Sequence, residues 1–226
     1  AYGADLLSQN GGSSPVEIES RAWFNPNLIT RWFIVPGLIA VLVLINSILS
    51  GALSIARERE EGTFDQLLVA PYTPGEILLG KGTASVITGI IQAVFVVLVA
   101  MFWFRIPFQG SIWLLSAALL LFIVTAAIGL CISSFAQSLQ QAIVGTFLLL
   151  VPMVMLSGFA TPISSMPEIF QSLTLLNPMR YGLELIQRIF LEGASFLDLW
   201  PLFAAIMAVT VVAVLAAVFS FHHKIS

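Results

Sequence analysis

Long apolar runs dominate the chain and predict its secondary structure. Windows of about 20 residues without Asp, Glu, Lys or Arg recur, and each can cross a hydrocarbon core of about 30 Å as a helix. The 62 uncharged residues from 106 to 167 are too long for one crossing, so we expect a turn in their most polar segment, 133–141. The pattern therefore predicts five membrane-spanning helices, near 33–56, 83–104, 112–133, 142–158 and 199–221.

Residues 1–31 differ from the rest of the chain. Residues 16–22 alternate apolar and polar side chains after a turn-like, polar stretch, which is typical of a half-buried strand. We interpret 1–31 as the β-like tail of a water-exposed domain and 32–226 as the transmembrane domain. Since the chain starts at Ala1 without a signal peptide, we expect it to be the C-terminal part of a longer protein.

The connection between the first two spans holds the densest group of charged residues. Residues 57–81 carry eight of the 21 charged side chains, and placing them in hydrocarbon would cost about 20 kcal/mol or more. Gly62 interrupts the charged run, and Thr63 is expected to cap a short helix over 64–69. Its apolar stripe is formed by Phe64, Leu67 and Leu68. The stripe packs on lipid headgroups, on its own span or on a partner protein.

The connection between the last two spans, 159–197, contains two predicted helices. An amphipathic helix over 168–176 is followed by the break Asn177-Pro178 and a helix over 179–192. On the second helix a ladder of alternating charge recurs every four residues, formed by Arg180, Glu184, Arg188 and Glu192. A structural cap over the bundle and a gate are both consistent with this pattern. Asp198 is the expected N-cap of the last span.

Composition excludes several classes of protein. Hydrophobic residues make up 58% of the 226 residues and charged ones 9%, far from the roughly 25% charged of a soluble domain. A net charge of −3 offers no basic surface for nucleic acid, and the single Cys131 supports neither a disulfide nor a zinc site. Metal binding by the adjacent His222 and His223 is not expected.

Two further observations bear on the source of energy. Residues 75–81 fit the start of a P-loop, but Gly82 replaces the required Ser or Thr and no strand precedes them, so we expect no nucleotide site in this chain. The predicted spans contain no acidic or basic residue, whereas ion-coupled pumps usually need a carboxylate or histidine there. Lys and Arg are divided almost evenly between the two sides, so they leave the orientation open.

Several stretches together resemble ABC-2 type permeases, the membrane subunits of a class of bacterial ABC exporters. These are residues 56–71 with Gly80-Lys81, 23–26, 33–37, 156–158 with Pro162, and 177–181. The likeness is greatest to drug-efflux permeases that work with a tandem ATPase and a periplasmic adaptor. It implies an all-α, six-span fold of the type V exporter kind, of which this chain holds five spans, a short cytoplasmic coupling helix and an extracytoplasmic helical hairpin.

The resemblance also implies orientation and partners. Residues 57–81 and the C-terminus would be cytoplasmic, and 1–31 and 159–197 periplasmic, in a multi-pass protein of the bacterial inner membrane. The chain would be a transport subunit and not an enzyme, with ATP and Mg²⁺ bound by a separate ATPase subunit and no cofactor of its own. Other expected partners are a second permease copy or a paralogue, an adaptor protein and membrane lipid.

The expected site residues form three groups. Those carried over to the ATPase contact are Arg57, Glu58, Glu61, Gly62, Thr63, Phe64 and Leu67. Those proposed for the substrate path are Asn46, Gln92, Thr146, Met153 and Phe159. Those proposed for the extracytoplasmic gate are Pro162, Asn177, Pro178, Arg180 and Glu184.

The predicted function is therefore export of drugs or other amphiphilic small molecules by alternating access, driven by ATP hydrolysis on a separate chain. Two alternatives stay open at this point: an ion-coupled multidrug antiporter, and a membrane scaffold that recruits a cytosolic partner without transport.

Overall fold

The computed structural model describes residues 30–64, 71–125 and 127–225, and the residues from Arg31 onward form one compact unit. The α-helices are α1 (Thr30–Glu60), α2 (Pro74–Phe102), α3 (Ile112–Val124), α4 (Ala127–Phe135), α5 (Leu139–Met155), α6 (Glu168–Leu173), α7 (Pro178–Gln187) and α8 (Phe196–Ile225). Short 3-10 turns at Ile163–Ser165 and Thr174–Leu176 flank α6, and a π-helical turn, Arg188–Glu192, extends α7.

The predicted all-helical membrane fold is confirmed. Four helical stretches are long and apolar enough to cross a membrane, namely Trp32–Glu60, Gly75–Phe102, Ile112–Phe135 and Phe196–Ser220. The apolar helix α5 has 17 residues, or about 26 Å at 1.5 Å per residue, slightly less than a hydrocarbon core of about 30 Å. The number of spans, five, therefore stays a prediction.

The 62-residue uncharged stretch turns where its side chains are polar. Helix α4 ends at Phe135, and Ser138 caps α5 by accepting a hydrogen bond from the Gln141 amide at 3.3 Å. The stretch has a second break that the sequence did not predict, at Thr125 between α3 and α4. There the Thr125 hydroxyl lies 2.9 Å from that of Thr210 on α8, so the break is tied to the last helix.

Helix α1 lies at the centre of the bundle. Its side chains Ile39, Val43, Leu44, Ile48 and Ile55 have no exposed surface. This burial requires close approach by small residues on the neighbouring helices, as is common between membrane helices.

Gly129 on α4 makes the tightest of these approaches. A Cβ atom there would overlap the Ile48 carbonyl oxygen of α1. One turn further along α4, the Ser133 hydroxyl oxygen accepts hydrogen bonds from the amides of Ile55 and Ala56 at 3.0 and 3.1 Å. Helices α1 and α4 therefore touch at backbone level over this region.

The connections at the two ends of the bundle pack differently. At one end, the 103–111 loop lies on the π-helical turn, where the Gln109 amide donates to the Phe190 carbonyl at 3.1 Å. The rings of Phe108 and Phe190 meet edge to face with centroids 5.1 Å apart. At the other end lie the charged residues after α1, the turn before α5 and the start of α2.

One predicted helix boundary is wrong. Asp198 is not the N-cap of the last span, because α8 begins at Phe196. The Asp198 carboxylate instead accepts hydrogen bonds from the Ser195 hydroxyl at 2.7 Å and the Ser195 amide at 3.2 Å. The sequence favoured Asp198 because Asp is a common N-cap, but the acidic residue of a first turn can equally reach back to the residue that precedes the helix.

Two predictions concern residues that the structure does not describe. The strand over 16–22, with residues 1–29 of the expected 1–31 tail, lies outside the described residues. Residues 30 and 31 instead begin α1. Residues 65–70, which form most of the short helix expected over 64–69, also lie outside the described residues.

The contact between Gly129 and α1 can be tested by substitution. Gly129→Ala should destabilise the protein by about 1–3 kcal/mol, because the added methyl group overpacks the α1–α4 contact. For a chain of this size that lowers the thermal unfolding midpoint by several degrees, measured by scanning fluorimetry in detergent.

Gly80→Ala is the matched control. A Cβ atom at Gly80 meets nothing within 4 Å, and Ala is the better helix former by about 0.5–1 kcal/mol, so the midpoint should hold or rise slightly. Equal midpoints for the two variants would contradict the close approach of α4 to α1.

Candidate functional site

The charged segment after α1 has a fixed backbone. Gly62 adopts a left-handed φ of 72°, its amide donates to the Arg59 carbonyl at 3.3 Å, and the Thr63 amide donates to the Glu58 carbonyl at 2.9 Å. These two bonds form a Schellman motif, which satisfies the last carbonyls of a helix and needs a residue that tolerates positive φ. The direction in which the chain leaves α1 is thus set by glycine.

An ion pair joins the two helices on either side of the charged segment. The Glu58 carboxylate of α1 contacts the Lys81 ammonium of α2, and their side chains are 20% and 24% exposed. The first turn of α2 is stabilised separately by a capping box, in which Thr73 and Glu76 each bond to the backbone of the other. Helices α1 and α2 are therefore held together at this end by paired charges.

Arg59 and Glu60, which were not among the expected site residues, bind α1 to the turn before α5. The Arg59 guanidinium donates to the Ala136 carbonyl at 3.1 Å and lies 4.6 Å from the Phe64 ring centroid. The Glu60 carboxylate accepts from the Leu139 amide at 2.7 Å. The only signal in the sequence was that the unpaired amides at the start of α5 need acceptors, and this does not name a partner 79 residues away.

The structure separates the residues expected to contact the ATPase into two groups. Arg57, Glu61, Gly62 and Thr63 are exposed on the turn. Glu58 is engaged with Lys81, and Phe64 is half-buried against an apolar cluster formed by Ile55, Ile77, Leu78, Leu130 and Ala217. Leu67 lies outside the described residues. The exposed group forms a charged edge held on an ordered turn, and its role in docking stays a prediction.

A shallow groove of about 500 Å³ lies beside this edge, on the first turns of α2. It is lined by Tyr72, Glu76, Ile77, Gly80, Lys81 and Ala84. The lining combines one aromatic ring with two charged side chains and several small or apolar ones.

The residues proposed for a substrate path fall in three places. Gln92 of α2 donates to the Leu42 carbonyl of α1 at 3.2 Å, and Asn46 is one turn from Leu42. Thr146 is fully buried, with its hydroxyl bonded to the Ala142 carbonyl of its own helix at 2.7 Å. Met153 and Phe159 lie at the far end, where the Phe159 ring covers Gly37. Their role in transport stays a prediction.

Only one of the two polar atoms of the Gln92 side chain forms a hydrogen bond among the described residues. Its side-chain oxygen is buried and has no hydrogen-bond partner among the described residues. A buried acceptor without a donor is uncommon in folded proteins.

A second cavity, which the sequence did not predict, lies among α2, α3, α4 and α8. It measures about 390 Å³ and is lined almost entirely by apolar side chains, including Leu78, Val86, Ile123, Leu130 and Val214. The two hydroxyl groups on its wall are already engaged, because Thr83 donates to the Leu79 carbonyl at 2.7 Å and Ser85 to the Lys81 carbonyl at 3.2 Å. The cavity suits an apolar occupant.

The residues proposed for a gate lie around the start of α7. Asn177 caps α7 by accepting from the Met179 amide at 3.0 Å and donates to the Met153 carbonyl at the end of α5 at 2.6 Å. Pro178 occupies the first position of α7, where its missing amide proton is not needed. Pro162 precedes the Ile163–Ser165 turn.

The charge ladder is present only in part. Arg188 pairs with Glu184 at 3.7 Å and with Glu192 at 3.2 Å, whereas Arg180 donates to the Thr174 hydroxyl. Among the described residues no group of three or more His, Cys, Asp or Glu side chains is placed to hold a metal ion.

Comparison with known proteins gives a single family. The profile described as ABC-2 type transporter matches residues 8–191. The chain is 36% identical over 225 residues to the "Probable multidrug ABC transporter permease YbhR" of Escherichia coli K12, covering 99% of this chain and 61% of that protein. It is 36% identical over 200 residues to the "Inner membrane transport permease YhhJ" of the same organism, covering 86% and 52%.

A eukaryotic relative matches more weakly. The "ABC transporter G family member 20" of Dictyostelium discoideum is 23% identical over 203 residues, covering 88% of this chain and 28% of that protein. The chain thus spans about three fifths of the length of YbhR and about half that of YhhJ. With its helical membrane architecture and a family match over most of its length, the chain belongs to the ABC-2 type transporter family.

Proposed function

We propose that this chain is the membrane-spanning part of an exporter permease that carries drugs or other amphiphilic small molecules across the bacterial inner membrane. The observation that carries the proposal is the ordered charged edge after α1, where Arg57, Glu61 and Thr63 are exposed while Glu58 and Lys81 hold the helices behind it. Such an edge is suited to receive a rigid partner. The names of the relatives YbhR and YhhJ support a permease role.

The motor belongs on another chain in this proposal. A separate nucleotide-binding subunit docks on the charged edge and the groove beside it, binds ATP and Mg²⁺, and hydrolyses the ATP. The chain itself is a transport subunit and not an enzyme. The uncharged interiors of the spans support this division, because a gradient-driven pump usually carries a titratable group within the membrane.

The orientation follows from the docking. The charged edge, the 136–138 turn and the C-terminus are cytoplasmic, and residues 159–197 face the periplasm together with the N-terminal tail. A second permease copy or a paralogue completes the transport path, membrane lipid surrounds it, and an adaptor protein connects its periplasmic side.

Movement starts at the ion pair between α1 and α2. When ATP closes the nucleotide-binding subunits, the docked segment moves. Helices α1 and α2 then tilt together, because the ion pair of Glu58 and Lys81 joins them next to that segment. Tilting changes access to a path along the α1–α2 contact, where Gln92 and Asn46 supply polar groups. The transition is of the two-state, rigid-body kind.

The exposed charge on the edge can be tested by reversal. Glu61→Lys in the full-length permease should weaken binding of the purified ATPase subunit by about 3- to 10-fold, the range for charges at the rim of an interface. Binding is measured by microscale thermophoresis at low and high salt, since the loss should shrink as salt rises.

Glu168→Lys is the control for Glu61→Lys. Glu168 is equally exposed but lies on α6, at the opposite end of the bundle. Equal binding by both variants and the wild type would contradict docking on the edge after α1.

The ion pair can be tested by exchange of its charges. Glu58→Lys and Lys81→Glu should each reduce ATP-driven export, because each places two like charges side by side at positions that are only partly exposed. The double exchange restores the attraction and should recover most of the activity. Transport by proteoliposomes and ATP hydrolysis are measured together, and a double variant as impaired as the sum of the singles would argue against the pair.

The energy source can be tested in inverted membrane vesicles. Accumulation of an amphiphilic dye should require ATP, stop with vanadate and continue when an ionophore collapses the proton gradient. Dye accumulation that survives without ATP and stops with the ionophore would favour the ion-coupled antiporter instead.

A further inference from the structure

Helix α5 has unusually narrow lateral contacts. Its fully or nearly buried side chains, Ala142, Thr146 and Leu150, recur every four residues and form one thin stripe. Most of the remaining surface is open, and Leu148, for example, is 77% exposed. Two members of the stripe are small, so little side-chain surface interlocks α5 with its neighbours.

The start of α5 is bound to the last residue of α1. The first four amides of a helix have no partner within it, and here the Glu60 carboxylate accepts from the Leu139 amide at 2.7 Å. A negative charge at this position also interacts favourably with the positive end of the helix dipole. The charged segment after α1 and the start of α5 therefore move as neighbours.

The end of α5 is bound to the start of α7 through one buried side chain. Asn177 is 6% exposed. Its amide nitrogen donates to the Met153 carbonyl at 2.6 Å, and its amide oxygen accepts from the Met179 amide at 3.0 Å. A single amide group thus satisfies an end carbonyl of α5 and an end amide of α7.

We infer that α5 is a strut about 21 Å long between its two bonded ends, and that Glu60 and Asn177 are positioning residues that couple the charged edge to α7. A helix is stiff along its axis, and a thin lateral contact allows it to transmit axial displacement. The direction of energy flow along the strut rests on the proposed function, but the mechanical connection does not.

Hydrogen exchange of the full-length protein in nanodiscs tests the connection without transport. Glu60→Ala removes the acceptor at the start of α5, whereas Glu60→Gln keeps an oxygen there. Asn177→Asp keeps the cap on Met179 but removes the donor to Met153. We expect Glu60→Ala to speed exchange at residues 139–142 and also at 179–181, and Asn177→Asp to speed exchange at 139–142. Coupling between two sites is reciprocal by thermodynamic necessity.

Two control variants separate coupling from general loosening. Glu61→Gln changes the neighbouring carboxylate, which is exposed on the turn. Gln171→Ala removes a side-chain bond to the Met166 carbonyl at 2.7 Å within the far segment. Both should leave exchange at 139–142 unchanged, and Glu60→Gln should stay near the wild type. Variants that loosen only their own end of α5 would overturn the strut.

A double-mutant cycle on ATP-driven export provides the second test. Each of Glu60→Ala and Asn177→Asp should lower the export rate by about 2- to 30-fold, the range for residues that modulate coupling. Residues this far apart normally have additive effects, but the double variant should be no slower than the slower single one, because either change disconnects the same strut. Additive effects would overturn the inference. Absence of ATP-driven export in the wild type would instead contradict the proposed function, while the exchange experiment would still decide the strut.

Discussion

The hydrogen bonds of the backbone are the constraint on which this structure depends. Within hydrocarbon a peptide group has no water to bind, so the chain crosses as helices that satisfy their own amides and carbonyls. The helix ends keep unpaired groups. The polar chemistry of this protein is accordingly concentrated at the ends, in the Schellman motif at Gly62, the Ser138 cap and the Asn177 bridge.

Much of the helical fold could be predicted from the sequence, because the length of each apolar run can be read directly along the chain. The polar turn before α5, the Asn177-Pro178 start of α7 and the break at Gly62 follow from local residue chemistry. The break at Thr125 could not be predicted, since its hydroxyl contacts that of Thr210, 85 residues away on α8. The choice of Asp198 as a cap failed for a local reason, because Asp198 lies in the first turn of α8 and reaches back to Ser195.

The positions of the charged residues after α1 could be predicted from the sequence, but the residues that they contact could not. The sequence placed the charges after α1 and the gate-like residues around Asn177, and it named Glu58 and Glu61 among them. It gave no means to assign Arg59 and Glu60 to the turn before α5, because hydrogen bonds over such separations depend on how the helices pack. That packing rests on the backbone contact of Gly129 with Ile48.

The left-handed residue at Gly62 has a consequence for how this surface can vary over time. Its conformation depends on the absence of a side chain, and the two bonds that close the turn use backbone atoms alone. The flanking side chains can therefore be exchanged for others without redirecting the chain. Substitutions around this glycine therefore change the charge and shape of the surface while the direction of the chain stays the same.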